Sequence, residues 1–241
     1  MNLLATGPLP AALPGPPELP ASCLQAVVVT AADRDDSAAG LQRWERSDPA
    51  ALWKPAGRAW PVRLGRNGLA WGWGLHEVPA DAATKREGDG KSPSGIFPLG
   101  PAFGSAPEGP PGLRFPWKQT TERDFFVDDP GSALYNQWVR LGPGVTGSWK
   151  SAERMRRDDL LYEFGMVVRH NAVAVRPGAG SAIFLHVWKS PESGTSGCTA
   201  MERADLVDLL LWLDPARDPL LVQAPMDDWS NLRLSLRSTS P

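Results

Sequence analysis

At 241 residues the chain is long enough for one well-buried domain and short for two. Its formal net charge of −2 argues against nucleic acid as a partner, because phosphate binding needs concentrated Lys and Arg. No run approaches the roughly 18 apolar residues of a membrane span, and three His and two Cys scattered along the chain give no metal-ligand spacing.

The 42% hydrophobic and 22% charged fractions are those of an ordinary globular protein. With 24 Gly and 25 Pro, punctuation is dense enough to favour short strands and turns over long helices. The eleven Trp are read first as broad apolar faces for a core, and second as contacts for a sugar-lined cleft. Residues 1–24 form a Pro-rich segment, open to reading as a disordered leader, the start of a mature exported chain or a mis-chosen start, with no Lys or Arg and with Pro8, Pro10, Pro14, Pro16, Pro17 and Pro20 breaking any apolar stretch. It is a poor secretory signal. Residues 25–241 are expected to form one domain.

In chain order, Gln25 to Ala31 (QAVVVTA) reads as a buried strand. Leu41 to Arg46 is too polar to assign, and Trp60 to Leu64 has the alternation of a half-buried strand. Arg66-Asn67-Gly68 carries the strongest short hairpin signal in the sequence. Residues 104–124 read as an irregular loop or cleft wall. Ser151 to Leu161 suits a short helix capped by Ser151. Glu163 to His170 and Ser181 to Trp188 read as strands separated by a Pro/Gly loop. Thr199 to Leu213 reads as a helix, with Leu206, Leu209, Leu210 and Leu213 on one face. Leu220 to Gln223 closes with a strand, and the whole is mainly β with few helices.

The chemistry centres on Cys198. Thr199 and Glu202 have the spacing of a capping box, which places Cys198 just before a helix N-terminus. The partial positive charge there would lower the thiol pKa, and the backbone N–H groups around Gly197 would hold an oxyanion. The alternative is a small buried Cys ahead of an ordinary helix. A base must come from elsewhere, and His186, twelve positions earlier at the end of a strand-like run, is within reach of a strand, loop and helix start. His170 ends the preceding strand, where it could line the same cleft or serve structure, whereas His76 is read as structural. Cys198 suits a free thiol, so a Cys23–Cys198 bridge is not expected.

Three separated motifs carry a resemblance. Gly88-Asp89-Gly90-Lys91-Ser92-Pro93-Ser94-Gly95-Ile96-Phe97, Phe184-Leu185-His186 and Thr195-Ser196-Gly197-Cys198 resemble, in order, the glycine-rich segment, catalytic His strand and nucleophile motif of the YkuD-type L,D-transpeptidases. Arg169-His170-Asn171 ahead of the His strand fits one branch of that family. The likeness runs from about Val27 to Pro225.

The resemblance implies a β-sandwich-like catalytic domain, no cofactor, and peptidoglycan stem peptides as partners in the periplasm or cell envelope. It implies a ping-pong reaction in which the Cys198 thiolate takes the acyl group of a tetrapeptide stem and passes it to an amine. It also implies that His186 is oriented by a backbone carbonyl, here that of Val187. His170, Asn171, Trp188, Thr195 and Ser196 are the expected substrate-binding set beside the catalytic Cys198, His186, Val187 and Gly197. Ser196 stands where many members have His, and Ala200 where many have Arg or Asn, which bears on acceptor choice. The competing readings are an L,D-carboxypeptidase or amide hydrolase of the wall, and a non-catalytic wall-binding domain.

Overall fold

The computed structural model describes residues 13–235. Its strands are β1 (Gln25–Ala31), β2 (Ala38–Glu45), β3 (Lys54–Pro55), β4 (Trp60–Arg63), β5 (Leu69–Trp71), β6 (Ser92–Gly104) and β7 (Trp117–Gln119). They continue with β8 (Asp124–Val127), β9 (Trp138–Arg140), β10 (Ala152–Arg154), β11 (Phe164–Val168), β12 (Phe184–Val187), β13 (Thr199–Met201) and β14 (Leu220–Pro225), with one α-helix, α1 (Arg203–Trp212), before β14. The mainly β class expected from the punctuation holds, at 33% strand and 9% helix.

The large sheet runs β1-β14-β6-β11-β12-β13-β4-β2, and β2 pairs back onto β1, so the ladder closes on itself. Closure leaves few open strand edges to protect. β6 is the spine: its first half pairs with β14 and its second half with β11. Alternation along the strands then separates two cores. On β1, Val27 and Val29 enter the main cluster with Leu206, Leu209 and Leu210 of α1, whereas Ala26 and Val28 enter a second cluster. Buried on both faces, β1 is a continuous apolar run for that reason. The second cluster also takes in Leu19 and Cys23, so packing begins upstream of Gln25 within the Pro-rich leader. Residues 1–12 of that leader lie outside the described residues.

A separate three-stranded sheet, β10-β8-β9, flanks the large one. Between them lies a third cluster of Phe103, Phe126, Met155, Tyr162, Phe184 and Cys198. Its rings meet edge to face, with Phe184 5.2 Å from Phe126, 5.3 Å from Phe103 and 5.6 Å from Tyr162. Such pairs contribute about 0.5–1.5 kcal/mol each beyond area burial, enough to fix the small sheet firmly over β12.

Four expectations are corrected. The Asn67-Gly68 turn forms, closed by Gly68 N–H to Gly65 O at 2.8 Å, but β4 and β5 do not pair with each other. β5 instead runs parallel to β6, with Leu69 N–H bonded to Arg34 O. Ser151 to Leu161 is no helix: β10 pairs with β8, and Leu160 has a φ of 61°, outside the helical range. Leu41 to Glu45, too polar to assign from sequence, is strand within β2, and Trp117–Gln119 is strand within the segment read as irregular.

The fourth correction bears on the site. Thr199–Met201 is β13, pairing parallel to β12 with His186 opposite Ala200. The helix starts only at Arg203, with Glu202 at its N-cap and no side-chain cap bond. Thr199 does not cap it, because its hydroxyl donates to Gln223 Oε1 at 2.6 Å in the interior. Three consecutive buried residues, Thr199, Ala200 and Met201, are held by a ladder, and tertiary pairing overrides the local capping pattern.

Candidate active site

β12 positions His186. Phe184 and His186 project to the same face by the two-residue alternation, and there His186 meets the Tyr162 ring edge-on at 5.3 Å. His186 Nδ1 lies 2.7 Å from the Val187 carbonyl oxygen. A carbonyl only accepts, so Nδ1 carries the proton and Nε2 keeps its lone pair. Burial pulls the imidazole pKa down to about 4, against the carbonyl bond that raises it. At neutral pH the ring is uncharged and able to act as a base.

Cys198 sits on the turn entering β13. Its Sγ accepts from Phe184 N–H at 3.4 Å and lies 3.5 Å from Ala182 O. Burial pushes the thiol up to about 12, opposed by the Phe184 N–H and by nearby cations. This overturns the depressed thiol expected from a helix N-terminus, since no helix begins beside it.

The turn itself is tied by hydroxyls. Thr195 Oγ1 donates to Cys198 O at 2.7 Å, and Ser92 Oγ donates to the same oxygen at 3.0 Å. Gly197 N–H donates to Thr195 Oγ1 at 3.0 Å. That N–H is therefore engaged inside the turn, and does not face an oxyanion as the sequence suggested. Gly197 is required instead by its φ of 152°, which side-chain-bearing residues rarely adopt.

Cys198 and His186 both line one cleft of about 410 Å³. Thr195, Ser196 and Gly197 line it as well, with Arg66 donating to the Ser196 hydroxyl at 3.2 Å. Sequence reading missed Arg66, Lys85, Asp128, Glu153, Arg157 and Tyr162, all on its walls. Glu153 and Arg157 form an ion pair of 2.8 Å, and the Arg157 guanidinium lies 5.2 Å from the Tyr162 ring centre. Asp128 Oδ1 is buried and has no hydrogen-bond partner among the described residues.

Three expected cleft residues are placed elsewhere. His170 and Asn171 are each only 1% exposed and are absent from the cleft wall. His170 Nδ1 accepts from Trp73 N–H at 3.2 Å and Nε2–H reaches Ala179 O at 3.0 Å. Asn171 donates to Arg176 O and Gly180 O and accepts from Arg176 N–H. The pair pins the loop between β11 and β12, which is why polar residues sit at that strand end. Trp188 is half-buried, with its backbone N–H donating to Met201 O, and none of the Trp residues lines the cleft. Both Cys thiols are free, and His76 is buried between Ile96 N–H and Gly72 O.

The family model YkuD, the L,D-transpeptidase catalytic domain, matches residues 51–222, well over half of the chain. The chain belongs to that family. The matched span of this L,D-transpeptidase-family chain includes both Cys198 and His186, together with the cleft walls around them. No curated protein matches it significantly. Among solved structures, the helical cell shape determining protein Pgp2 from Campylobacter jejuni is similar over 84% of this chain and 48% of its own, at 13% identity and a TM-score of 0.38.

Proposed function

We propose that the chain is a cysteine-dependent peptidoglycan L,D-transpeptidase acting in the periplasm or cell envelope. The observation that carries this reading is the joint exposure to one cleft of the Cys198 thiol and of an imidazole whose Nδ1 is committed to Val187 O. His186 Nε2 takes the Cys198 proton as Sγ attacks the stem-peptide carbonyl, and returns it to the amine that leaves as terminal D-Ala. In the second half, an acceptor amine attacks the thioester carbon and gives its proton to His186. The C–S bond then breaks, and His186 reprotonates the sulfur. Val187 O stabilises the imidazolium that forms in each half.

Transfer to an amine is preferred over hydrolysis because of Asp128. β8 and β10 place Phe126 opposite Glu153, and Asp128 follows two positions on, so both carboxylates share a face. Glu153 is already paired with Arg157, whereas the buried Asp128 oxygen has no partner and suits the ammonium of an arriving acceptor. The absence of Trp from the cleft speaks against a glycan-binding groove built on stacking.

The test is to incubate the full chain with purified muropeptides and identify the products by mass. Cross-linked dimers with loss of D-Ala are expected. Tripeptide without dimer would instead make the enzyme an L,D-carboxypeptidase.

A further inference from the structure

Lys85 is 3% exposed and still lines the reaction cleft. Lysine is rarely buried. Its aliphatic stem packs over Gly180, where a Cβ would come within 2.8 Å of Lys85 Cγ, and its end reaches the nucleophile turn, where a Cβ on Gly197 would lie 3.7 Å from Lys85 Cε. Nζ donates to Asp89 Oδ1 at 2.6 Å and to Arg86 O at 3.0 Å. Asp89 is fixed in turn by Arg86 N–H and Lys91 N–H, at 2.8 and 2.9 Å. An apolar residue would fill this space without the cost of desolvating an ammonium.

The other cation tied to the turn, Arg66, meets it only through the Ser196 hydroxyl on the exposed side, so Lys85 is the buried positive charge there. No helix N-terminus faces Cys198, and the Gly197 N–H is taken by Thr195. We propose that Lys85 is a positioning residue that acts on Cys198 through charge: its buried ammonium, held by Asp89 behind the nucleophile turn, stabilises the negative charge that develops on the sulfur during attack. Other charges act on the same sulfur. Glu153 opposes the thiolate from the small-sheet side, while Arg157 and Lys85 favour it. Asp89 tempers Lys85, and this arrangement makes the two residues opposite in sign. Removing Lys85 disfavours the thiolate, and neutralising Asp89 frees the full ammonium charge to favour it.

This inference rests on Cys198 being the reactive thiol, and alkylation reads that thiol whether or not muropeptides are the substrate. The full-length protein and its K85M, K85R and D89N variants are treated with iodoacetamide between pH 7 and 9, and modification of Cys198 is followed by peptide mass. Well below the thiol pKa the rate is proportional to the thiolate fraction. K85M should slow alkylation about tenfold, one pKa unit's worth. K85R should stay within about twofold of wild type, as charge is kept. D89N should speed it, because Asn keeps an acceptor oxygen for Lys85 but not the negative charge. A residue that merely shapes the turn would shift K85M and D89N in the same direction, and that result overturns the proposal. So does a K85R rate as low as that of K85M.

Discussion

His186 Nδ1 and the carbonyl oxygen of Val187, the very next residue, are 2.7 Å apart. The imidazole is thus oriented by its own strand, with no carboxylate needed. Together with a thiol pushed up to about 12 and an imidazole pulled down to about 4 by burial, this makes the resting pair neutral. In the proposed reaction the thiol loses its proton only as attack proceeds.

A neutral pair has a distinctive pH profile. His186 is a competent base above its folded pKa of about 4, and Cys198 holds its proton up to about 12. The value of kcat/KM should therefore rise through an acid limb near pH 4 and stay flat across neutrality. An acid limb near pH 6.5 would contradict it.

His170→Ala should lower stability and leave activity per folded molecule nearly unchanged. Its two ring bonds, to Trp73 N–H and Ala179 O, lie in the interior. Losing such a group costs roughly 1–3 kcal/mol, or about 2–4 °C of Tm for each kcal/mol in a domain of this size. Unchanged Tm with a raised KM would return His170 to the cleft.

Acid should destabilise the fold through the same histidines. Burial draws His76 down to about 4 and His170 to about 3, below the ordinary 6.5. The unfolded chain then binds protons more readily than the folded one. The stability they contribute is complete above about pH 6.5 and is lost as pH falls toward and through the folded values. Thermal midpoints should fall between pH 7 and 5, whereas a flat profile would mean the rings are already charged in the fold.

That Cys198 and His186 share one cleft was legible in the sequence, because they are held by short local elements: a strand, a tied turn and an adjacent carbonyl. The capping-box reading of Thr199 and Glu202 failed since Thr199 is claimed by Gln223, 24 positions away. His170 and Asn171 looked like cleft residues for lack of any local sign that the loop 171–180 folds back onto them. The acidic and cationic walls were invisible for a related reason. Lys85 and Asp128 lie in loops and Glu153 on the short strand β10, far from Cys198 in sequence, and only the tertiary fold brings them to one cleft.

Thr195→Val should lower kcat with little change in KM. The substitution removes one donor to Cys198 O and the acceptor of Gly197 N–H, leaving Ser92 as the one hydroxyl on Cys198 O. A small misplacement of the sulfur costs on the order of tenfold to a hundredfold. Steady-state kinetics on muropeptides would show this split, and a KM effect alone would assign Thr195 to substrate binding.

Asp128→Asn should shift the outcome from transfer to hydrolysis. The buried Asp128 oxygen has no protein partner to lose, so the fold should hold. The ratio of cross-linked dimer to tripeptide should fall about tenfold, as for loss of one partly buried charge pair. An unchanged ratio would remove Asp128 from acceptor recognition.

The central claim is that Cys198 carries the acyl group, and intact mass after exposure to a carbapenem reads this directly. Wild type should gain one carbapenem mass, mapped to the Cys198 peptide, while Cys198→Ala should gain none at an unchanged fold. An adduct on Cys198→Ala, or none on folded wild type, would contradict the account.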